Sequence, residues 1–331
     1  AEALKDLGLS SKLMARSTNM FALGLLYWLY ERTLDSTIDF LNKKFAKKPE
    51  IVEANVKALK TGYYYGETIE AIKTTYRVDR AKFEKGTYRN IMGNHALSLG
   101  LLAASQKSDL NLFFGGYPIT PASDVLKYLA NYKNFGVKTF QAEDEIAAIT
   151  SVLGAAFAGD LAVTASSGPG IALKGEAIGL AVITELPIII LNIQRGGPST
   201  GLPTKTEQSD LNQAIYGRNG ECPCVVLAPS SPADCFDTAI EAAKIAIEHM
   251  IPVMLLSDGY IANGSEPWKI PNFKDIPKIK NNFVKNNTKT FMPYEHDKKT
   301  LARKWAIPGM EGFEHRIGGR GMGSSILVPL Y

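Results

Sequence analysis

Residues that commonly bind metal ions are scarce in this chain: its 331 residues include 3 cysteines and 4 histidines. The spacing of Cys222, Cys224 and Cys235 lacks the four-thiolate pattern of a structural zinc site or an iron–sulfur cluster. Cys222 and Cys224 flank Pro223 at the start of a predicted strand, and buried free thiols are their better interpretation. The histidines are widely separated (His95, His249, His296 and His315). We therefore predict no metal site in this chain.

Strong charge imbalance and long apolar segments are also missing. The 37 Lys and Arg residues against 33 Asp and Glu residues leave a net charge of +4, too small to indicate nucleic-acid binding. In the first third of the chain the longest apolar stretch, Met20 to Tyr30, is much shorter than the about 20 residues that a membrane span needs. The first residues do not resemble a secretory signal. The sequence predicts a cytoplasmic protein that binds neither nucleic acid nor a membrane.

Short apolar runs alternate with helical patterns in the central part of the chain. The runs predict six strands, near 112–117, 137–141, 161–165, 187–193, 224–228 and 252–257. The intervening patterns predict helices near 122–133, 146–158, 171–184, 206–216 and 232–249. A further helix is predicted from Gly93 through Leu101, with Asn94 as its N-cap. Repeated βα units imply a parallel sheet covered on both faces, so the predicted fold class is a doubly wound α/β domain.

The two ends of the chain differ from this α/β part. Residues 1–80 are predicted to be helical, and Pro49 is placed to begin one of their helices. After Asp258 the pattern gives way to a stretch rich in Lys, Asn and Pro, which is interpreted as a long connection that becomes ordered against a partner. These differences predict three regions, 1–80, 81–262 and 263–331.

A proline-rich junction follows the first strand of the α/β part. Tyr117-Pro118-Ile119-Thr120-Pro121 comes directly after the apolar run that includes Phe114. The two prolines fix the backbone φ angle, so Thr120 is held on a stiff backbone and Pro121 is placed to begin a helix. Taken alone, this block is explained better by a rigid turn than by a binding site.

An acidic triplet stands where the next helix begins. Glu143, Asp144 and Glu145 are followed by small and apolar residues. Carboxylates in the first turn of a helix complement the helix dipole, and this is their ordinary role. Beside a helix rich in Ala and Gly, however, a carboxylate can be packed closely and desolvated, as catalytic acids that share a proton require.

Two further junctions carry polar groups. The turn 166–170, SSGPG, offers backbone amides, hydroxyls and no bulky side chain, so a flat ligand can approach it. It matches neither the P-loop nor the GxGxxG template, since Lys174 is not followed by Ser or Thr, and nucleoside triphosphate chemistry is disfavoured. Arg195 ends the next apolar run and can bind a substrate carboxylate through two hydrogen bonds, although an ordinary ion pair explains it equally well.

Four sequence blocks, in this order and spacing, resemble the α subunit of 2-oxoacid:ferredoxin oxidoreductases. The blocks are YPITPAS, QAEDEIAA, TASSGPG and RGGPSTGLPTKTEQSDL. The likeness extends over roughly residues 10 to 317 and is closest to the 2-oxoglutarate type. By this resemblance, residues 81–262 are the thiamine-diphosphate pyrimidine-binding domain. Residues 1–80 resemble the closing part of a γ domain that is fused in front of the α subunit in some members.

The resemblance implies an enzyme that decarboxylates a 2-oxoacid with thiamine diphosphate, passes electrons to ferredoxin and forms an acyl-CoA. It implies that Glu145 hydrogen-bonds the aminopyrimidine ring of the cofactor, with Glu143 and Asp144 as capping or supporting residues. Thr120 matches a threonine near the reacting carbonyl, and Arg195 matches an arginine that binds the substrate carboxylate. The remaining implied contacts are with the cofactor (Tyr117, Pro118, Ser166, Ser167, Gly168) and with a second substrate carboxylate (Lys205).

The resemblance also implies an obligatory partner. No stretch of this chain resembles the Gly-Asp-Gly element that holds Mg²⁺ and the diphosphate, and in the family this element belongs to the β subunit. The 4Fe–4S clusters are likewise expected on a partner chain. Residues after Gly319 depart from the family pattern, and both the earlier part of the γ domain and the second domain of the α chain are expected to lie outside this sequence.

Three alternatives stay open at this point. A pyruvate or branched-chain 2-oxoacid enzyme of the same family differs in one pocket, and the preference for 2-oxoglutarate rests on overall likeness. A truncated chain that folds and pairs with a partner without supporting turnover has the same site residues. A transketolase or a lipoamide-linked dehydrogenase subunit also uses a thiamine glutamate, but the YPITP and RGGPSTG blocks argue against it.

Overall fold

The computed structural model describes residues 2–8, 10–69, 74–284 and 291–317. The chain divides into two compact units, Ala1–Lys85 and Gly86–Tyr331. The departure from the family pattern after Gly319 lies outside the described residues. Within the described ranges, none of the helices combines the length and the apolarity that a membrane span requires.

The first unit is helical. Its helices are α1 (Ser11–Arg16), α2 (Thr18–Leu29), α3 (Asp35–Lys44) and α4 (Pro49–Ile69), preceded by a 3₁₀-helix (Glu2–Leu7). Pro49 begins α4, as predicted. Residues 74–80 form no helix, so the prediction of helix through residue 80 is too long.

Helices α2 and α4 pack with their backbones in contact. A Cβ atom added at Gly62 would overlap the carbonyl oxygen of Phe21, and one added at Gly24 would overlap the carbonyl oxygen of Leu59. Because only glycine lacks a Cβ, both positions require it for this close approach. Leu59 is fully buried beside this crossing.

The second unit contains two sheets. Its strands are β1 (Tyr88–Met92), β2 (Leu112–Gly116), β3 (Val137–Gln141), β4 (Leu161–Ser166), β5 (Ile188–Gln194), β6 (Val225–Leu227), β7 (Val253–Asp258) and β8 (Ser265–Lys269). Its α-helices are α5 (Gly93–Ser108), α6 (Ser123–Leu129), α7 (Glu145–Phe157), α8 (Gly168–Leu173), α9 (Gly175–Ile183), α10 (Leu211–Tyr216), α11 (Asp234–His249) and α12 (Gly259–Asn263). Two 3₁₀-helices complete it (Ala130–Phe135 and Phe273–Asp275).

The main sheet has six parallel strands in the order β3-β2-β4-β5-β7-β6. One apolar cluster joins α5 and α11 to one face of the sheet, and a second joins α7 and α9 to the other face. Strands β4, β5 and β7 are buried along their whole length, as expected for parallel strands covered on both sides. The predicted doubly wound α/β class and its six strands are confirmed.

The chain moves from β2 to β3 and then returns to β4 on the opposite side of β2, so the strand order switches direction between β2 and β4.

Three helix predictions are corrected. Met92, not Asn94, is the N-cap residue of α5, and Asn94 lies inside the helix. The helix predicted over 171–184 is two helices, α8 and α9, which meet at the buried Lys174. The helix predicted from 206 begins at Leu211, because the preceding residues hydrogen-bond the ends of strands instead of one another.

The segment after β7 packs on the α/β unit. Strand β8 pairs with β1 in an antiparallel sheet, and neither strand was predicted because each is short and follows no apolar run. Trp305 is fully buried and its indole N–H donates to the Ala156 carbonyl oxygen at 3.1 Å. His296 Nε2 lies 2.9 Å from Glu185 Oε1. The described part of this segment therefore contributes to the core of the unit, and the expectation that it becomes ordered against a partner is wrong there.

Candidate functional site

The polar junctions predicted from the sequence converge at the carboxyl edge of the main sheet. Parallel pairing places Gly116 beside Gln141, just before the acidic triplet. It also places Ser166 beside Asn192 and Gln194 beside Asp258. The ends of β2, β4, β5 and β7 therefore lie on one edge, next to the point where the strand order switches direction. In open α/β sheets this position is the usual ligand crevice.

Glu145 lies against the turn that follows β4. It is the first residue of α7 and is half-buried, whereas Glu143 is exposed. Asp144 is the N-cap residue, and its Oδ1 accepts the Ala147 N–H at 2.7 Å. A Cβ atom added at Gly170 would overlap Ser166 Oγ and would lie 3.0 Å from Oε1 of Glu145. The Glu145 carboxylate thus reaches the 166–170 turn, while Asp144 is used for capping.

The turn itself contains buried polar groups without protein partners. Ser166 and Ser167 are fully buried, and neither hydroxyl has a hydrogen-bond partner in the described part of the chain. Such hydroxyls are uncommon, because each unpaired buried polar group costs about 1–3 kcal/mol. At Gly168 the nearest neighbour of an added Cβ would be Asp210 Oδ2, at 3.0 Å. Two unpaired hydroxyls and a nearby carboxylate fit the donors and acceptors of a flat nitrogen-bearing ring such as the aminopyrimidine of thiamine.

Lys174 is a functional candidate that the sequence reasoning passed over. Its side chain is fully buried, and Nζ donates to the backbone carbonyl of Glu145 at 2.9 Å and to Thr164 Oγ1 at 3.2 Å. Burial lowers the pKa of Lys174 to about 8, and the negative charges of Glu145 and Asp144 oppose this shift. The sequence signal that was available is a lysine in the middle of an otherwise apolar helical pattern.

Arg195 and Thr120 are in direct contact. Nη1 of Arg195 donates to the Thr120 carbonyl oxygen and Nη2 donates to the Thr200 carbonyl oxygen, both at 2.6 Å. Arg195 is only 7 % exposed, and its Nε has no partner among the described residues. In the described structure the guanidinium therefore bridges two backbone carbonyls instead of forming an ion pair.

Asn94 supports the same junction from behind. Its Nδ2 donates to the Pro121 carbonyl oxygen at 2.9 Å, and the residue is buried. Pro121 and Ala122 precede α6, which begins at Ser123. Sequence reasoning assigned Asn94 to helix capping, whereas its side chain holds the turn that carries Thr120.

The other predicted contacts lie at the exposed rim. Tyr117 and Pro118 follow directly on the end of β2, and Tyr117 is 39 % exposed. Lys205 is exposed, and its carbonyl oxygen accepts the Gly196 N–H at 2.9 Å, which keeps this loop next to Arg195. These three residues border the crevice on the sides of β2 and β5.

A hydrogen-bonded network closes the far side of the crevice. Asn192 Nδ2 donates to Asp210 Oδ2 at 2.9 Å, and the Asp210 N–H donates to Gln194 Oε1 at 3.0 Å. Gln208 Nε2 donates to Asp258 Oδ2 at 2.7 Å. Sequence reasoning missed this network because its members lie on three separate segments that only the strand order brings together.

The described residues contain no group of three or more His, Cys, Asp or Glu side chains arranged to hold a metal ion. All three cysteines are free thiols. Cys235 is buried, as its small apolar character suggests, and burial raises its pKa to about 12. Cys222 and Cys224 are half-buried, so the interpretation of this pair as buried thiols holds only in part, and burial raises the pKa of Cys224 to about 11. Cys222 Sγ accepts a hydrogen bond from Arg218 Nε at 3.3 Å.

The chain is similar to subunits of known oxidoreductases. The subunit KorA of a 2-oxoglutarate oxidoreductase from Mycobacterium tuberculosis is 59% identical over 317 residues, which are 96% of this chain and 48% of that protein. KorA of a 2-oxoglutarate synthase from Archaeoglobus fulgidus is 44% identical over 187 residues, 56% of this chain and 53% of that protein. This chain thus spans about half the length of these relatives.

A solved structure has the same fold. It is a 2-oxoglutarate:ferredoxin oxidoreductase from Magnetococcus marinus with 2-oxoglutarate, coenzyme A and succinyl-CoA bound, and it is 34% identical with a TM-score of 0.83. The match covers 96% of this chain and 53% of that one. A family profile described as "Pyruvate flavodoxin/ferredoxin oxidoreductase, thiamine diP-bdg" matches residues 107–324. The chain belongs to this family of thiamine-diphosphate-binding oxidoreductases.

Proposed function

We propose that this chain supplies the pyrimidine half of a thiamine diphosphate site in a 2-oxoacid:ferredoxin oxidoreductase. The proposed reaction is the oxidative decarboxylation of a 2-oxoacid to an acyl-CoA, with ferredoxin as electron acceptor. The observation that carries the proposal is the position of Glu145 beside Gly170, in the turn that begins with the unpaired hydroxyls of Ser166 and Ser167, at the switch in strand order. The preferred substrate is 2-oxoglutarate, because the relatives and the solved structure described above carry that name.

Thiamine diphosphate, when bound, supplies the nucleophilic carbon that makes decarboxylation of a 2-oxoacid possible. For this chain we propose that Glu145 hydrogen-bonds a ring nitrogen of the aminopyrimidine and exchanges a proton with it. Ser166 and Ser167 would offer their unpaired hydroxyls to the same ring, and Gly168, which has no side chain, would contribute backbone beside them. Tyr117 and Pro118 border the ring on the side of β2. Ser166 and Ser167 have hydroxyls without a partner in the described chain, and the proposed ring would supply one. The other residues are proposed to form the surface next to these hydroxyls.

Arg195 is the proposed anchor for the substrate carboxylate. Its two outer nitrogens are held by the carbonyls of Thr120 and Thr200, which fix the guanidinium plane, and its Nε remains unpaired. A fixed cation orients an incoming carboxylate and leaves little side-chain entropy to lose. The backbone carbonyl of Thr120 accepts a hydrogen bond from Arg195, which keeps the two residues together. The Thr120 hydroxyl is proposed to face the reacting carbonyl of the substrate. Lys205, on the exposed loop, is proposed to meet the second carboxylate of a dicarboxylic 2-oxoacid.

The proposed site is completed by a β subunit. The described residues of this chain include no acidic group arranged to hold a metal ion, and we propose that Mg²⁺, the diphosphate and the 4Fe–4S clusters belong to partner chains. We also propose that residues 1–80 form the closing part of a γ-type domain and that residues 263–331 act as the connection to the rest of the enzyme. On this proposal the enzyme acts in the cytoplasm.

The proposal is tested by reconstituting the chain with a β subunit of the same enzyme. Reduction of ferredoxin or a viologen dye is measured with CoA, thiamine diphosphate and a panel of 2-oxoacids. Glu145→Gln is expected to lower turnover about 100-fold or more, because it removes the group that exchanges a proton with the ring. Glu143→Gln, on an exposed residue in the same triplet, is the matched control and is expected to leave turnover unchanged.

The outcomes separate the alternatives. Turnover that requires thiamine diphosphate and is lost only in Glu145→Gln supports the proposal, and the preferred acid identifies the substrate type. A stable complex that binds no thiamine diphosphate and has no turnover contradicts it and favours a chain that only folds and pairs. Equal loss in both variants contradicts the assignment to Glu145.

A further inference from the structure

Lys174 is a buried cation that the proposed chemistry does not use. Its side chain is fully buried, and no carboxylate of the described chain lies within ion-pair distance of its Nζ. Burying an ammonium group is unfavourable unless its protons are accepted by well-placed oxygens. Lysine side chains are normally found at the surface for this reason. The location of this one calls for a specific function.

The contacts of Lys174 connect three parts of the site. Nζ donates to the carbonyl oxygen of Glu145, in the first turn of α7, and to Thr164 Oγ1 in the middle of β4. Its own backbone N–H donates to the carbonyl oxygen of Gly170, at 3.2 Å, in the turn after β4. The ammonium group thus joins the start of α7 to the strand that carries Ser166.

Lys174 lies at the junction between α8 and α9. It is both the C-cap residue of α8 and the N-cap residue of α9. Its carbonyl oxygen accepts the Ile178 N–H at 3.0 Å, so its backbone is bonded to both helices while its side chain contacts α7 and β4.

We propose that Lys174 is a positioning residue that fixes the first turn of α7, and with it the Glu145 carboxylate, at the thiamine ring. This inference rests on the proposed function. The ammonium group contacts the backbone carbonyl of Glu145 and the Thr164 hydroxyl, so it acts through Glu145. It also adds a positive charge close to that carboxylate, and the charged groups that act on it are Glu145 and Asp144, both at the start of α7.

The protonation of Lys174 gives the arrangement a pH dependence. The ammonium group carries its charge below a pKa of about 8 and loses it above that value, because burial disfavours the charged form. Loss of the charge weakens both hydrogen bonds and removes the attraction between Lys174 and Glu145. The affinity for thiamine diphosphate is therefore expected to fall as the pH rises through about 8.

The experiment uses the complex of this chain with its β subunit and measures the dissociation constant for thiamine diphosphate by fluorescence titration between pH 6.5 and 9.5, ranging around the pKa of about 8. In Lys174→Met the affinity is expected to fall about tenfold at pH 7, since one charged hydrogen-bonding group is lost, and the pH dependence should disappear. Lys138→Met is the matched control, because Lys138 is exposed on β3 and forms its ion pair with Asp160, away from the 166–170 turn. That variant should keep both the affinity and its pH dependence.

A second variant distinguishes positioning from a general effect on folding. Thr164→Val keeps the shape of the side chain but removes the acceptor for Nζ, so it should weaken binding less than Lys174→Met and in the same direction. In the double variant Thr164→Val should add nothing, because both changes break one connection. Additive losses would overturn the proposal.

Two further outcomes distinguish failure of the positioning role from failure of the proposed function. Unchanged affinity and pH dependence in Lys174→Met, with the unmodified complex binding the cofactor normally, overturns the positioning role and leaves the proposed function intact. An unmodified complex that binds no thiamine diphosphate at any pH overturns the proposed function itself.

Folding of the chain provides a check that does not depend on the cofactor. Lys174 has a lowered pKa of about 8 in the folded chain against 10.5 when unfolded, so the unfolded state binds more protons between these values. The urea midpoint of the unmodified chain, relative to Lys174→Met, should therefore rise as the pH increases from 8 towards 10. A difference that stays constant over this interval would mean that the ammonium group is not buried, and would overturn the proposal.

Discussion

Strands β4 and β7 end on the same edge of the sheet, on either side of β5, but their last residues, Ser166 and Asp258, differ in hydrogen bonding. At the end of β7, the buried Asp258 accepts the Tyr260 and Ile261 N–H groups through Oδ1 and the Gln208 amide through Oδ2. At the end of β4, the hydroxyls of Ser166 and Ser167 have no partner among the described residues. The last residue of β7 is therefore satisfied by the chain itself, although the Ser257 hydroxyl before it has no partner among the described residues, whereas the last residue of β4 is not satisfied.

The comparison of the two strand ends separates polar groups that stabilise the fold from polar groups proposed to bind the cofactor. A carboxylate that receives three hydrogen bonds stabilises the fold, because removing it leaves the Tyr260 and Ile261 N–H groups and the Gln208 amide without their acceptor. An unpaired buried hydroxyl does the reverse, since it destabilises the chain, and on the proposed function it gains a partner from the cofactor. Changes at Asp258 should therefore affect folding, whereas changes at Ser166 or Ser167 should affect binding.

The largest effect on folding is expected from Asp258→Ala. The variant leaves the Tyr260 and Ile261 amides and the Gln208 side chain without their acceptor, and we expect a loss of about 3 kcal/mol in the free energy of unfolding. Urea denaturation of the chain measures it. A loss well under 1 kcal/mol would remove the distinction between the two strand ends.

Gly170→Ala should follow in size and should affect both properties. The new Cβ would overlap Ser166 Oγ and crowd Glu145, so the turn must shift, and overpacking of this kind costs about 2 kcal/mol. Affinity for thiamine diphosphate in the reconstituted complex should fall with it. Gly179→Ala is the matched control, because a Cβ there meets nothing within 4 Å and the change favours the helix. Similar losses in both variants would show that crowding at the turn is not the cause.

Asp144→Ala tests the start of α7, where a carboxylate accepts a backbone N–H of the helix, as Asp258 does after β7. The Asp144 carboxylate accepts the Ala147 N–H at 2.7 Å, and loss of such a cap costs about 1 kcal/mol. The free energy of unfolding measures this loss directly. Asp144→Asn retains a capping oxygen and should recover most of the stability. If the asparagine variant were as unstable as the alanine variant, the cap would not be the source.

The order of the elements and the fold class could be predicted from the sequence because buried parallel strands are long apolar runs. Ile188–Gln194 is an example: it is buried along its whole length, and its prediction needs no tertiary information. The prediction was wrong where a local signal had two physical explanations. Asn94 after a glycine indicates a helix cap, but its amide reaches Pro121, a partner that only the packed structure supplies.

The candidate site could be predicted only in part, for the same reason. Glu145, Thr120 and Arg195 follow apolar runs, and their position at one edge is implied by the parallel sheet. The bridge from Lys174 to Glu145 could not be inferred, because an apolar pattern with one lysine gives no indication that the helix breaks there. The assigned roles of these residues in binding cofactor and substrate stay predictions until the variants are measured.

The smallest effect on folding, and the sharpest test of the comparison, is expected from Ser167→Ala. The Ser167 hydroxyl makes no cap hydrogen bond to α8 and is buried without a partner in the described chain, so its removal should change the free energy of unfolding by less than about 0.5 kcal/mol, or raise it slightly. In the complex with the β subunit, the same variant should weaken thiamine diphosphate binding about fivefold to tenfold, because one ligand hydrogen bond is lost. A variant that binds normally but unfolds more easily would mean that the hydroxyl belongs to the fold, and that the end of β4 is satisfied in the same way as the end of β7.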